Sequence, residues 1–385
     1  MPMTSRQRIH LALSHREADR VPLDLGGTVL TSIHRQSYHR LRQHMALPPS
    51  PDVPLMDLYQ QIVVVEDDLL QAWGADVRFV GPGLPEPPRV EQCDDATQIT
   101  DEWGISWRMP TDRGLYYDMA RHPLAGATAA EEIARHTWPD PLHPARFAEM
   151  RARARHAVEQ EGRAVVLGGF CSGVVEMTAW LRGYDRFYPD CIQNTALLGR
   201  LMDRIVELKA AYWERALDEV GPHVDVVQEA DDLAGQFRML ISPATYRTLC
   251  KPRHRELLEF IRSRTSAKVF FHSCGAIRPI IPDLIEMGVD ILNPIQVSAT
   301  GMDPAELKRE FGADLVFWGG GVDTQQILGS GTEQQVRDEV RRRIADLAPN
   351  GGFVFATVHN IQSNVPPQNL VAMWEAFQEL GVYPQ

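Results

Sequence analysis

Residues Lys268 to Pro294 read KVFFHSCGAIRPIIPDLIEMGVDILNP. The stretch opens with a short run, Lys268–His272, whose interior Val269-Phe270-Phe271 is apolar. A helical pattern follows over Arg278–Met287. Gly288 then marks a turn before a second run, Val289–Pro294. Neither run alternates apolar with polar residues, which suits strands buried on both faces of a parallel sheet. The same unit repeats outward in both directions. Further strands are expected at Val21–Leu25, Asp76–Val80, Ala164–Gly168, Val224–Glu229, Leu315–Trp318 and Phe353–Val358. Amphipathic helices are expected at Asp57–Trp73, Pro144–Gln160, Ala196–Val220, Pro243–Ser263, Thr332–Ala348 and Pro367–Leu380. Gly288 and Gly312 stand where helix-to-strand turns need a positive φ. Eight strands alternating with helices predict an α/β fold, a (β/α)8 TIM barrel. A doubly wound sheet is disfavoured, because Gly26-Gly27-Thr28 after the first strand carries no dinucleotide fingerprint.

One segment breaks the alternation. Arg89–Leu124 contains Asp101-Glu102-Trp103-Gly104-Ile105-Ser106-Trp107, which reads as antiparallel strands, a β insertion on a barrel loop. Ala125–His143 reads as a connector. The 385 residues thus fit one domain, 1–385, with an N-terminal helical extension and the insertion at about 89–124.

The chain holds 39 basic and 51 acidic residues, a net charge of −12. That balance argues against nucleic acid as a partner. It also weighs against a substrate with many carboxylates. The five cysteines are widely spaced and odd in number, which fits a reducing, cytoplasmic compartment rather than a disulfide framework. The N-terminus lacks the apolar core of a secretory signal, and no run is long enough to span a membrane.

Chemistry is expected at the C-terminal strand ends of a barrel. His272 and Cys274 are two apart and point to one side there. His359, at the end of the eighth strand, could supply a third ligand. Two imidazoles and a thiolate with an open fourth position would make a catalytic zinc site. The alternative is a hydrogen-bonded core histidine beside a small buried thiol. The fourth strand ends Gln228-Glu229-Ala230-Asp231-Asp232. Glu229 and Asp231 share one side and could support a histidine, ligate a metal, or act as general acid or base. They could equally cap the next helix. Asp24, ending the first strand, could orient substrate or cap a turn. Cys171 and the Gly319-Gly320-Gly321 loop read as packing and turn geometry.

These pieces together resemble the uroporphyrinogen decarboxylase superfamily, and within it the corrinoid-linked methyltransferase branch. The resemblance rests on Arg6-Gln7-Arg8, Asp19-Arg20-Val21-Pro22, Asp101-Glu102-Trp103-Gly104, Leu181-Arg182-Gly183-Tyr184 and Asp231-Asp232-Leu233. It continues through Ile241-Ser242-Pro243, His272-Ser273-Cys274-Gly275, Gly320-Gly321-Val322-Asp323-Thr324 and Val365-Pro366-Pro367-Gln368-Asn369-Leu370. It implies a homodimeric barrel that takes a small-molecule substrate. It also implies Zn2+ on a His-x-Cys pair plus a later cysteine, and a corrinoid (cobalamin) carried by a partner protein or free. Here His359 falls at the later position, which leaves the zinc site about one charge more positive. The decarboxylase branch fits less well, since Asp24-Leu25-Gly26-Gly27-Thr28 replaces its arginine-bearing stretch. The expectation is a zinc-dependent methyltransferase or demethylase. The alternative is a zinc-dependent lyase or decarboxylase acting on a small carboxylated substrate.

Overall fold

The computed structural model describes residues 3–112 and 114–384. Seven parallel strands lie side by side in chain order: Val77–Val80, Ala164–Gly168, Val226–Ala230, Lys268–His272, Ile291–Asn293, Val316–Trp318 and Phe353–Val354. The run Val21–Leu25 takes the eighth position through single bonds rather than a full strand. Leu23 bridges Phe355 in parallel. Phe355 N–H donates to Pro22 at 2.8 Å, and Asp76 N–H donates to Leu23 at 2.8 Å. The segment therefore joins the last strand to the first and closes the curled sheet as a (β/α)8 barrel.

Apolar side chains sort into two layers because both strand faces are buried. Val166, Val226, Phe270, Ile291, Val316, Trp318 and Val354 fill the barrel. Their sequence neighbours Val165, Val227, Phe271, Leu292, Phe317 and Phe353 pack outward against the helices. The N-terminal helix Ser5–Leu13 adds Ile9, Ala12 and Leu13 to the inner cluster. Arg8 pairs with Asp76 at 2.7 Å and Arg6 with Asp225 at 2.9 Å. Both acids precede a strand, so the helix seals the N-terminal end of the barrel. The Arg6-Gln7-Arg8 and Asp19-Arg20 motifs thus carry structure: Asp76 also receives Arg20 and the amide of Leu23.

The expected insertion is a four-stranded antiparallel sheet of Arg89–Gln92, Ala96–Thr100, Ser106–Pro110 and Asp118–Arg121. Asp101 ties its tight turn by accepting from the amides of Trp103 and Ile105 and from Trp107 Nε1.

Several boundaries differ from expectation. The helix expected over Asp57–Trp73 exists only at Asp67–Trp73. Leu55–Asp57 and Ile62–Val63 instead form a hairpin, in keeping with the β-branched run Val63-Val64-Val65. Arg35–His44, Val174–Arg182, Tyr184–Gln193 and Pro304–Phe311 are additional helices, and Ala130–Arg135 is a short helix inside the expected connector. The Pro243–Ser263 pattern is interrupted by a π turn, Tyr246–Cys250, just before Pro252 removes an amide donor. Gly288 has φ +87°, but Gly312 sits at φ −67° and could be any residue on that ground. No helix among the described residues is long and apolar enough to cross a membrane.

Candidate metal centre

His272 ends the Lys268–His272 strand and points inward, with the parity of Phe270. Cys274 follows on the turn after it. His359 lies on the loop after Phe353–Val354. The ligating atoms of these three residues all lie within 4.8 Å of one another. Cys274 Sγ is 3.5 Å from His272 Nε2. Zinc bonds of about 2.1 Å to nitrogen and about 2.3 Å to sulfur, at a tetrahedral angle, put such a pair about 3.5 Å apart. The two imidazole rings stand 5.7 Å apart, tilted by 59°. His272 is buried, whereas Cys274 and His359 are half-buried, so the cluster is open on one side.

Neighbouring amides fix which ring nitrogen is free. Asn293 donates its Nδ2 to the carbonyl of Trp318 at 2.7 Å, which leaves Oδ1 facing His272 Nδ1 at 2.6 Å. That nitrogen must carry a proton, so Nε2 is the nitrogen left to face the cysteine and to offer a lone pair once it is deprotonated. Asn360 repeats the arrangement. Its Nδ2 donates to Gln60 at 3.0 Å, and its Oδ1 lies 2.9 Å from His359 Nδ1. Two imidazoles with Nδ1–H held by oxygen acceptors and Nε2 free are the ordinary dress of zinc-binding histidines. The donor set therefore fits the zinc that the sequence implies.

Asp232 completes the mouth. Its Oδ1 accepts from the amide of Cys274 at 2.8 Å and lies 3.5 Å from His272 Nε2. Burial would raise this carboxyl, but His272 in its protonated form outweighs it and holds Asp232 down to about 2, just as Asp232 raises His272. Glu176, near the start of Val174–Arg182, receives Ser172 Oγ at 2.7 Å. Burial first, then the carboxylates of Asp232 and Asp231, push Glu176 up to about 8. Burial also raises the Cys274 thiol. Both Glu176 and Asp232 line a cleft that opens beside the cluster.

The other expected site residues sit elsewhere. Glu229 faces the helix layer, where Trp213 Nε1 donates to it at 2.5 Å and Lys209 Nζ pairs with it at 3.0 Å. Asp231 is fully buried. It accepts from the amides of Val175 and Glu176 and from His254 Nε2, at 2.6–2.8 Å, and so caps the helix that carries Glu176. Asp24 lies inside the barrel, accepting from Trp318 Nε1 and the amide of Gly27, each at 2.7 Å. Burial pushes its carboxyl up to about 6. Cys171 is half-buried with its thiol pushed up to about 12, mainly by desolvation, which is a packing thiol rather than a nucleophile. The residues that sequence reasoning passed over are Glu176, Asp232, Asn293 and Asn360.

A closed barrel with a His-Cys-His cluster at its C-terminal mouth defines a class of enzyme scaffold. Residues 95–380 match the uroporphyrinogen decarboxylase (URO-D) family, and the chain belongs to that family. It is 25% identical over 307 residues to the uroporphyrinogen decarboxylase of Gluconobacter oxydans (strain 621H), covering 76% of this chain and 80% of that one. A uroporphyrinogen decarboxylase of Alkalilimnicola ehrlichii is 24% identical over 293 residues, 74% of this chain and 75% of that one. Among solved structures, a methyltransferase from Methanosarcina mazei matches with a TM-score of 0.64 at 20% identity. That match covers 98% of this chain and 99% of that one, and it shows a shared fold.

Proposed function

We propose that this chain is a zinc-dependent methyltransferase of the URO-D family, moving a methyl group between a small substrate and a corrinoid. The observation that carries this reading is the convergence of His272 Nε2, Cys274 Sγ and His359 Nε2 on one open point. Zinc bound there would supply a Lewis acid that lowers the pKa of a heteroatom in its fourth position. Around that point the chain's own residues divide the work. Asn293 and Asn360 orient the imidazoles. Asp232 presents an anionic oxygen beside the cluster. Glu176, its carboxyl pushed up to about 8, holds a proton at neutral pH and can give it up. Glu229 and Asp231 act through packing, by fixing the helices behind the mouth. Asp24 acts inside the barrel wall. A corrinoid-bearing partner protein and a homodimeric assembly come with the family resemblance and belong to the same reading.

The two uroporphyrinogen decarboxylases among its relatives favour a decarboxylase instead. What supports methyl transfer over that reading is that the ionisable acids and bases lining the cleft are Glu176 and Asp232, with no arginine or lysine among the described residues there to take a polycarboxylate.

Metal analysis of the purified chain should find about one zinc per chain, and His359→Ala should abolish tight binding without unfolding the protein. Methylcobalamin or cob(I)alamin, offered with thiols, ethers and amines, should show a spectral change with one class of substrate. A metal-free, fully stable protein sinks the zinc reading. A zinc protein that leaves the cobalamin spectrum unchanged with every class sinks methyl transfer.

A further inference from the structure

His272 and His359 are oriented by the same kind of side chain, but the two supports are anchored differently. Asn293 gives its Nδ2 to a main-chain carbonyl, that of Trp318 on the neighbouring strand. No side-chain replacement removes that acceptor. Asn360 gives its Nδ2 to a side chain instead, Gln60 Oε1 at 3.0 Å, from a residue 300 positions away in the chain.

The turn that carries Gln60 is held in place on both sides. It joins the hairpin strands Leu55–Asp57 and Ile62–Val63. Asp57 Oδ1 accepts from the Gln60 amide at 2.6 Å. Gln61 takes the left-handed conformation at φ +58°, and its Nε2 donates back to the Leu58 carbonyl at 2.5 Å. Arg35 N–H donates to the Gln61 carbonyl at 2.9 Å, and Tyr117 N–H, from the β insertion, donates to that of Tyr59 at 2.8 Å. The Tyr59 ring packs against Trp107, with centroids 4.4 Å apart. Gln60 itself is exposed, so its side chain fills no core position.

Zinc on His359 Nε2 requires a proton on Nδ1, so the Asn360 oxygen must face the ring. The amide nitrogen of Asn360 then faces away from it. Asn360 is fully buried, and a buried NH2 group without an acceptor is costly. Gln60 Oε1 is that acceptor. Without it the Asn360 amide gains by turning over. That turn presents a donor to Nδ1 and moves the ring proton to Nε2, the nitrogen that must bind the metal. Gln362, which donates to the same Asn360 oxygen, can reverse its own amide and follow.

We infer that Gln60 is a positioning residue of the metal centre. Through Asn360 it holds His359 in the tautomer that can bind zinc, which makes the 55–63 hairpin part of the site. This inference rests on reading the His-Cys-His cluster as a zinc centre.

Zinc affinity of the full-length chain, measured by competition with a chromophoric chelator, tests it in four proteins: the parent, Gln60→Met, Asn360→Asp and the double variant. Gln60→Met keeps the side-chain length, removes the acceptor and should weaken zinc about tenfold. Asn360→Asp offers the ring an oxygen and leaves no NH2 group to satisfy, so it should bind zinc at least as tightly as the parent. In that background Gln60→Met should change the affinity by less than about twofold, because the group it served is gone. A packing role for Gln60 gives the same loss in both backgrounds. That result, or an unchanged affinity in Gln60→Met alone, overturns the inference. If the zinc-free melt shows Asn360→Asp to be poorly folded, Gln60→Glu and Gln60→Lys replace it, compared at about 1 M NaCl to screen their charges. The acceptor, glutamate, should stay within about threefold of the parent, and the donor-only lysine should be at least about tenfold weaker. Equal affinities of these two overturn the inference. A parent that binds no zinc removes the metal reading and this inference with it, whereas zinc binding indifferent to Gln60 removes this inference alone.

Discussion

Asn293 decides which nitrogen of His272 is free. Its amide is locked by Trp318, so its oxygen must receive the Nδ1 proton. Removing that acceptor lets the ring turn and the tautomer exchange. Asn293→Ala should therefore weaken zinc binding about 10- to 100-fold, read by competition with a chromophoric chelator. Unchanged affinity would mean the ring is held by packing alone. Asp24 offers a second test, through pH. Its folded pKa of about 6 stands above the ordinary value for an aspartate. A raised acid stabilises the fold fully below its unfolded pKa, and that contribution is lost as pH rises through the folded pKa. From about pH 5 to about pH 7.5 the zinc-free protein should lose about 1 kcal/mol that Asp24→Asn does not lose. Urea titrations at the two pH values measure it, and parallel profiles for the two proteins would refute the buried-acid account.

At the scale of the strand, parity separates support from chemistry. His272 pairs in register with Ala230, and Phe271 with Glu229. Since His272 points into the barrel, Glu229 points out, toward Lys209 and Trp213. The sequence shows Glu229 and Asp231 on one side but cannot say which side, because both faces of a barrel strand are apolar and alternation is silent. The His-x-Cys pair was legible because two residues at one strand end must share a side whichever side that is. Glu176 was not legible: it reaches the mouth only because Asp231, from the neighbouring strand end, caps its helix. The outward reading of Glu229 has a stability consequence. Lys209→Met leaves Glu229 as an uncompensated buried charge and should cost about 3–5 kcal/mol. Lys209→Met with Glu229→Leu should recover most of that loss. Denaturant melts check both, and a silent Lys209→Met would free Glu229 for a role in the reaction.

Across the whole molecule, the barrel divides stability from function by its two ends. Strand recurrence made the eightfold architecture readable, but not how it closes, since Val21–Leu25 closes it with single bridges rather than a ladder. The base is shut by the N-terminal helix, where Ile9 is fully buried among inner-layer side chains. The mouth holds His359 on a loop, half-buried and hydrogen-bonded to Asn360. The sealed interior, with Phe270 and Trp318, lies between them. Ile9→Ala should cost about 2–5 kcal/mol of stability and leave zinc affinity unchanged. His359→Ala should do the reverse, weakening zinc at least about 100-fold while the zinc-free melt stays close to that of the parent. Sites this far apart, with no shared partner, should add within about 0.5 kcal/mol in the double variant. Equilibrium unfolding of the four zinc-free proteins measures the sum. A coupling above about 1 kcal/mol would show that the plug at the base shapes the metal site through the packed interior, and the two ends could no longer be treated as separate.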